Sequence, residues 1–534
     1  MSPFASVHWG LLIFFLASQF LSSTASSNEP QVQLDHGTFV GTRNGSIDRF
    51  LGIPYAKPPV GDLRFRLPAP NDPYQGDNNA TNFGPACLQQ AMSYAMPDNL
   101  APEGKALLQF LGGSLTINVW KPSNLSSNAR IPVVIWIFGG GFEAGDSSAF
   151  DGSVIVQRSI DMGEPIIYVS MNYRLSGEEV KTAGVANLGL RDQRQSFHWV
   201  QKYITAFNGD PSKVTIWGQS AGADSVAIHM LANHGDKERL FCGAFMQSGP
   251  PLPYGDISKG QKYYDQLVAD AGCKNATDSL QCLREVPVDV IQDMMNATPS
   301  ILSPESLHIT WVPRADGSFI PDPPMQAVAK DYIAKIPFVS GECDDEATLY
   351  VLSQTNITTE DAVHEFMSSN YFPNATTAEV DSLLRLYPQD ITQGSPFDTG
   401  DLNAITSQSK RLAALQGDLL FMGPRRFFLQ QRSDKQPAWA FLSKRFKSFP
   451  DFGSFHAHDL LNTYGPGELT DYLVHFVNHL NPNGNGSVHW PRYTTSHPVL
   501  TTFLDGAVPS TLEKDDFREE PIRYMNKLLL KYPL

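Results

Sequence analysis

The chain has 534 residues, 42% of them hydrophobic, enough to bury a core far larger than a small stapled domain needs. Its 55 acidic and 40 basic side chains leave a formal charge of -15, and such a surface keeps a protein soluble and repels phosphate backbones. No basic block interrupts it, which argues against a nucleic-acid partner, while length alone leaves the domain count open.

Residues 1–25 read as a separate unit. An apolar run from Leu11 to Leu21 precedes Ser23-Thr24-Ala25, small side chains that suit a signal peptidase, although the stretch before it offers only the amino terminus and His8 as positive groups. The run is too short to span a bilayer comfortably. No later stretch of 18 apolar residues exists, and Pro533-Leu534 carries no lipid-anchor signal. The expectation is an exported, soluble chain, with residues 26–534 forming one domain. Eight Asn-x-Ser/Thr sites agree with export, at Asn44, Asn79, Asn124, Asn275, Asn296, Asn356, Asn374 and Asn485, and each must be exposed to carry a glycan.

Residues 33–68 read as hairpins with turns at Gly37, Gly45 and Pro58-Pro59-Val60-Gly61, and Leu115–Trp120 alternates as a strand. Continuous apolar runs follow at Val133–Phe138, Ile166–Ser170, Val214–Trp217, Ile336–Ser340 and Ala438–Leu442. Helical patterns lie between them, at Leu190–Phe207 and Ala221–Leu231. Strands that lack alternation and are separated by helices predict an α/β fold: a large, mostly parallel sheet covered on both faces. The long mixed spacers 251–330 and 347–436 predict helical excursions that shape a pocket above it. Cys273 and Cys282 flank a short polar stretch and predict a disulfide loop; Cys242, within Phe241–Met246, reads as a core thiol.

Two motifs sit at strand ends. Thr215-Ile216-Trp217-Gly218-Gln219-Ser220-Ala221-Gly222-Ala223 is a strand entering Gly-x-Ser-x-Gly with a helix leaving it, the context in which such a serine becomes a nucleophile. Gly218 and Gly222 leave room for the tight turn, and Ser220 must take strained backbone angles. Phe138-Gly139-Gly140-Gly141-Phe142 follows the Val133 run, and three glycines let backbone N–H groups approach a reacting carbonyl. Gly140, Gly141 and Ala221 are the candidate oxyanion donors. A serine nucleophile also needs a histidine and a buried carboxylate, in the chain order serine, acid, histidine. Thirteen histidines are present, and position alone does not choose among them.

The chain resembles the type-B carboxylesterase/lipase family, closest to its fungal secreted lipases, from about residue 33 to the C-terminus. Gly52-Ile53-Pro54-Tyr55-Ala56-Lys57-Pro58-Pro59, Phe138–Phe142, Asn172-Tyr173-Arg174, Asn187–Gln193 and Phe207-Asn208-Gly209-Asp210-Pro211 carry the resemblance. It implies the α/β-hydrolase fold, with Glu346 in Gly341–Thr348 as catalytic acid and His456 in Gly453–Asp459 as base; His458 and Asp459 fall just beyond. It also implies a lid over about 88–111, containing Met92, Met96, Leu100, Leu107, Leu108 and Phe110. The family's Ser-Glu-Asp-Cys is here Leu111-Gly112-Gly113-Ser114, so the implied disulfide partner of Cys87 is missing, and Gln219 replaces the Glu common before the nucleophile. Neither departure removes a catalytic group.

The implied activity is hydrolysis of carboxylic esters of hydrophobic acids through an acyl-enzyme on Ser220, with small-molecule or lipid esters as substrates and transient contact with a lipid interface. The cholinesterase branch fits poorly at the lid and at Leu111–Ser114. A non-catalytic binding or adhesion protein on the same fold, or an amidase using the same residues, stay open as alternatives. No cofactor or metal is expected: the Gly139 cluster lacks the Lys-Ser/Thr end of a phosphate loop, no dinucleotide fingerprint follows an early strand, and His456 and His458 have no clear third ligand.

Overall fold

The computed structural model describes residues 29–85, 87–91, 115–175, 185–465, 467–484 and 488–534. The expected leader, Asn485 and almost all of the lid-like segment, from 92 onward, lie outside the described residues. In chain order the strands are β1 (Gln31–Leu34), β2 (His36–Val40), β3 (Thr42–Asn44), β4 (Ile47–Ile53), β5 (Gln75–Asn79), β6 (Ile117–Pro122), β7 (Ile131–Ile137), β8 (Ile167–Met171), β9 (Gly209–Gln219), β10 (Gly243–Gln247), β11 (Phe338–Cys343), β12 (Ala438–Ser443), β13 (Val499–Phe503) and β14 (Ser510–Lys514). β1, β2 and β5 form a small separate sheet.

Among the described residues the main sheet has 11 strands in the order β14-β13-β12-β11-β10-β9-β7-β8-β6-β4-β3. From β8 across to β13 every neighbouring pair is parallel, and antiparallel pairs close both flanks. The chemistry of the strands follows their burial. β8, β10, β11 and β12 are buried at every residue, so both faces must be apolar and alternation disappears. The edge strand β14 exposes alternate residues and reads Ser-Thr-Leu-Glu-Lys.

Helix Ala221–Gly235 packs on β9 and β10, while helix Glu468–His479 packs on β7 and β9. Trp136 and Trp217 meet in the core with ring centroids 4.2 Å apart. Both long spacers are helical, as expected, and include Gln261–Asp270, Val288–Asn296, Thr377–Arg385 and Ser409–Gly417. The Cys273–Cys282 disulfide is formed, and Cys273 packs with Leu267, Val268, Leu283 and Ile291 in a satellite core. Asn44, Asn79, Asn124, Asn275, Asn296, Asn356 and Asn374 are all exposed.

Two local expectations are corrected. Gly37 lies inside β2, where a Cβ would come within 2.9 Å of Asn78 Nδ2; the turn is made by Asp35 at φ 50°. Cys242 stands just before β10 and is only partly buried, its amide donating to Val214 O.

Candidate active site

Four loops meet at the carboxyl ends of the parallel strands. β9 runs into Ser220, β7 into Phe138–Phe142, β11 into the loop with Glu346, and β12 into the longer loop with His456. Ser220 has φ 55° and ψ −131°, outside the comfortable regions for a side-chain-bearing residue. Both flanking glycines are required by space. A Cβ on Gly218 would come within 2.3 Å of the Gly222 carbonyl carbon, and one on Gly222 within 1.9 Å of Ile137 O. The turn therefore presses β9, the departing helix and the end of β7 together, and the Ser220 amide is anchored on Gln247 O at 2.8 Å.

The three side chains singled out from sequence come together. His456 Nδ1 hydrogen-bonds the Glu346 carboxylate, which leaves Nε2 as an acceptor, and Ser220 Oγ lies 2.8 Å from it. Glu346 accepts a second bond on Oε1 from the Cys343 amide at 2.6 Å. Burial alone would push the Glu346 carboxyl up. The charge of His456 and bonds from His456, Ser248 and Cys343 outweigh burial and hold it below the usual carboxylate range. All three residues are buried, so their mutual bonds act in a low-dielectric setting.

Gly140 and Gly141 sit at φ 113° and 66°, and the amides of Glu143 and Ala144 fold back onto Gly140 O at 3.0 Å. Among the described residues, the N–H groups of Gly140, Gly141 and Ala221 donate to no backbone carbonyl. The loop abuts apolar side chains: a Cβ on Gly141 would meet Ile301 Cδ1 at 3.1 Å and Ile309 Cδ1 at 3.7 Å. Phe421 and Tyr350 flank the His456 ring, with centroids 5.0 and 5.7 Å away.

Several residues that sequence reasoning passed over support this geometry. Asp345 receives Ser395 Oγ and the Phe397 amide on one oxygen, and the Ser454 amide and Lys447 Nζ on the other. With the backbone bridge from Asp345 to Phe455, it ties the acid loop to the histidine loop. Gln247 accepts from Trp217 Nε1 and donates to Asp459 Oδ2, joining β9 to the segment after His456. Gln219, noted only as a departure from the family, points its amide nitrogen at His456 Nε2, 3.2 Å away. His458 turns away, bonded to Phe455 O and Ser443 Oγ, and burial holds it below the usual range. Burial first, and then the neighbouring Glu346 charge, push the buried carboxyls of Glu342 and Asp224 up. The residue pairs concerned are remote in sequence, and no local pattern marks them.

A serine at the turn between a buried parallel strand and its helix, hydrogen-bonded to a histidine that is held by an acid from later strand ends, defines the α/β-hydrolase class. The fold agrees with the crystal structure of Aspergillus niger EstA, with a TM-score of 0.79 and 26% identity, covering 95% of this chain and 99% of that one. The chain belongs to the carboxylesterase family, whose profile matches residues 28–518, and is a carboxylic-ester hydrolase. It is 40% identical to Lipase 4 of Diutina rugosa over 92% of this chain and 94% of that protein. It is 35% identical to the secreted triacylglycerol lipase LIP1 of Gibberella zeae, over 92% and 89% of the two chains. Among the described residues no helix is long and apolar enough to cross a membrane.

Proposed function

We propose that the chain is an exported, glycosylated lipase-type esterase, with residues 26–534 as one catalytic domain, that hydrolyses esters of hydrophobic acids through an acyl-enzyme on Ser220. The observation that carries the reading is the continuous hydrogen-bonded path from Ser220 Oγ through His456 to the Glu346 carboxylate. Ser220 Oγ attacks the ester carbonyl carbon as its proton passes to His456 Nε2. Glu346 steadies the imidazolium that forms. The oxyanion is received by the amides of Gly140, Gly141 and Ala221, each such donor being worth roughly 3 kcal/mol. Collapse expels the alkoxide, which takes the proton from His456, and a water repeats the sequence on the acyl-serine to release the acid.

Hydrophobic acyl groups are favoured by Ile301, Ile309 and Phe421 around the site, and the apolar composition of the segment 88–111 fits the same reading. The lipase names of the two relatives point the same way, and one of them, LIP1, is named as secreted. The apolar leader and the exposed glycosylation sites support export of this chain. The test is a p-nitrophenyl ester series from two to eighteen carbons, measured below and above substrate solubility, with Ser220→Ala and a fluorophosphonate label alongside. Turnover that rises with chain length, one labelled serine in the wild type and none in the variant are expected. Normal turnover by Ser220→Ala refutes the nucleophile, and a maximum at acetate with no interfacial gain refutes the lipase reading.

A further inference from the structure

At the opposite end of the sheet a second constellation has no part in this chemistry. Glu164 lies three residues before β8 begins, and helix Glu468–His479 ends beside it. His475 and His479 are one turn apart on that helix and share a face. His475 Nδ1 is 2.9 Å from Glu164 Oε2, and His479 Nε2 is 3.2 Å from Glu164 Oε1. The three ligand atoms all lie within 4.8 Å of one another.

We propose that Glu164, His475 and His479 form a binding site for a divalent transition metal, zinc by preference. Two imidazoles one helical turn apart with a carboxylate from a second element match the donor set zinc takes. Imidazole nitrogen also selects zinc over calcium or magnesium, which want oxygen. Donor atoms around a tetrahedral zinc are about 3.4 Å apart, from bonds of about 2.1 Å. The two Glu–His separations, one to each carboxylate oxygen, are already close to that, and the rings, now 6.4 Å apart between centroids, have to tilt toward each other around the ion.

The site is held in shape before any ion arrives. His475 is 5% exposed, and its Nε2 edge faces Gly484, where a Cβ would come within 1.9 Å. Asn478 Nδ2 donates to the Glu164 carbonyl at 3.1 Å, and Arg158 pairs with Asp471 farther up the same helix. The His479 side chain is 54% exposed, which leaves the fourth coordination position open to water.

The bound ion would brace the loop before β8 against helix Glu468–His479. Leu480, just past that helix, packs on Gly243 at the start of β10, which places the cluster at the amino ends of the parallel strands. The candidate nucleophile, acid and base lie at their carboxyl ends, so an ion here acts on stability and leaves turnover unchanged.

The test uses the full exported chain, stripped of metal with a chelator. Cobalt(II), as a spectroscopic stand-in for zinc, should give the visible ligand-field bands of a four- or five-coordinate ion at one equivalent per chain. Zinc at about a hundredfold excess over its dissociation constant should raise the thermal midpoint by about 2 °C, with magnesium inert. His479→Ala, at an exposed position, and Glu164→Gln should each weaken binding at least tenfold while ester turnover reports an intact fold. Absence of the cobalt bands at millimolar metal, or bands and stabilisation that persist in both variants, overturns the proposal and leaves the cluster as a pair of histidine–carboxylate hydrogen bonds.

Discussion

Replacing Asp345 by Asn tests whether the loops carrying Glu346 and His456 are held by one buried carboxylate. Its two oxygens receive four donors, from Ser395, Phe397, Ser454 and Lys447, at 2.7–2.9 Å. A carboxamide offers one oxygen. If that oxygen stays with Ser454 and Lys447, the new NH₂ can donate to the Ser395 hydroxyl but faces the Phe397 N–H. One buried donor is then orphaned, at about 1–3 kcal/mol, and the charge opposite Lys447 is halved because Asp344 alone remains. Breaking a buried network of this kind costs about 3–5 kcal/mol in total. A chain of 534 residues unfolds with an entropy of about 1.1 kcal/mol/K, from about 2.1 cal/mol/K per residue, so the midpoint should fall by about 3–5 °C. Turnover should fall further than stability alone suggests, by about 10- to 100-fold, because an ångström of drift between His456 and Ser220 is expensive. Calorimetry and kcat on p-nitrophenyl butyrate, both measured well below the midpoint, check this. A variant with a lowered midpoint but wild-type kcat would show that the two loops are positioned independently of Asp345, and the reasoning would fail.

Two further outcomes follow from the site's electrostatics. Burial, partly offset by the Ile301 amide, raises the Glu143 carboxyl from 4.5 to about 8, so the folded chain keeps a proton there that the unfolded chain has lost. Stability must then decline as pH rises between those values and level off above them, by up to about 5 kcal/mol. Glu143→Gln mimics the protonated form and should flatten the decline when unfolding midpoints are compared at pH 5 and pH 8; an unchanged slope refutes the assignment. Gln219→Glu places a carboxylate where an amide nitrogen now stands 3.2 Å from His456 Nε2. It should favour the imidazolium and move the acid limb of the kcat/KM profile up by about 1–3 pH units, and an unmoved limb shows that the side chain points elsewhere.

How much was visible beforehand depended on sequence distance. Gly218, Ser220 and Gly222 form a local motif, and the steric demands on its glycines can be argued without coordinates. The glycines at 139–141 were equally legible, since they end an apolar run. Glu346 and His456 could be picked only through family resemblance, because they lie 110 residues apart and His456 lies 236 residues from Ser220. The supporting contacts are less legible still: Asp345 to Lys447 and Gln247 to Asp459 join ordinary polar residues across 102 and 212 positions. Gly37 misled for a different reason. A glycine can mark a positive φ or a close approach, and here it admits Asn78 and Tyr74 of the neighbouring segment while Asp35 makes the bend.

The long loop that carries His456 leaves β12, and the strand that completes the sheet beyond it arrives later still. A growing polypeptide therefore exposes its serine hundreds of residues before any base can reach it. With His456 as the proposed base, ester turnover during refolding or synthesis should appear only after the loop beyond β12 has been made and packed against Ser220. Fragments cut short of Phe455 lack His456 and should be inert toward esters.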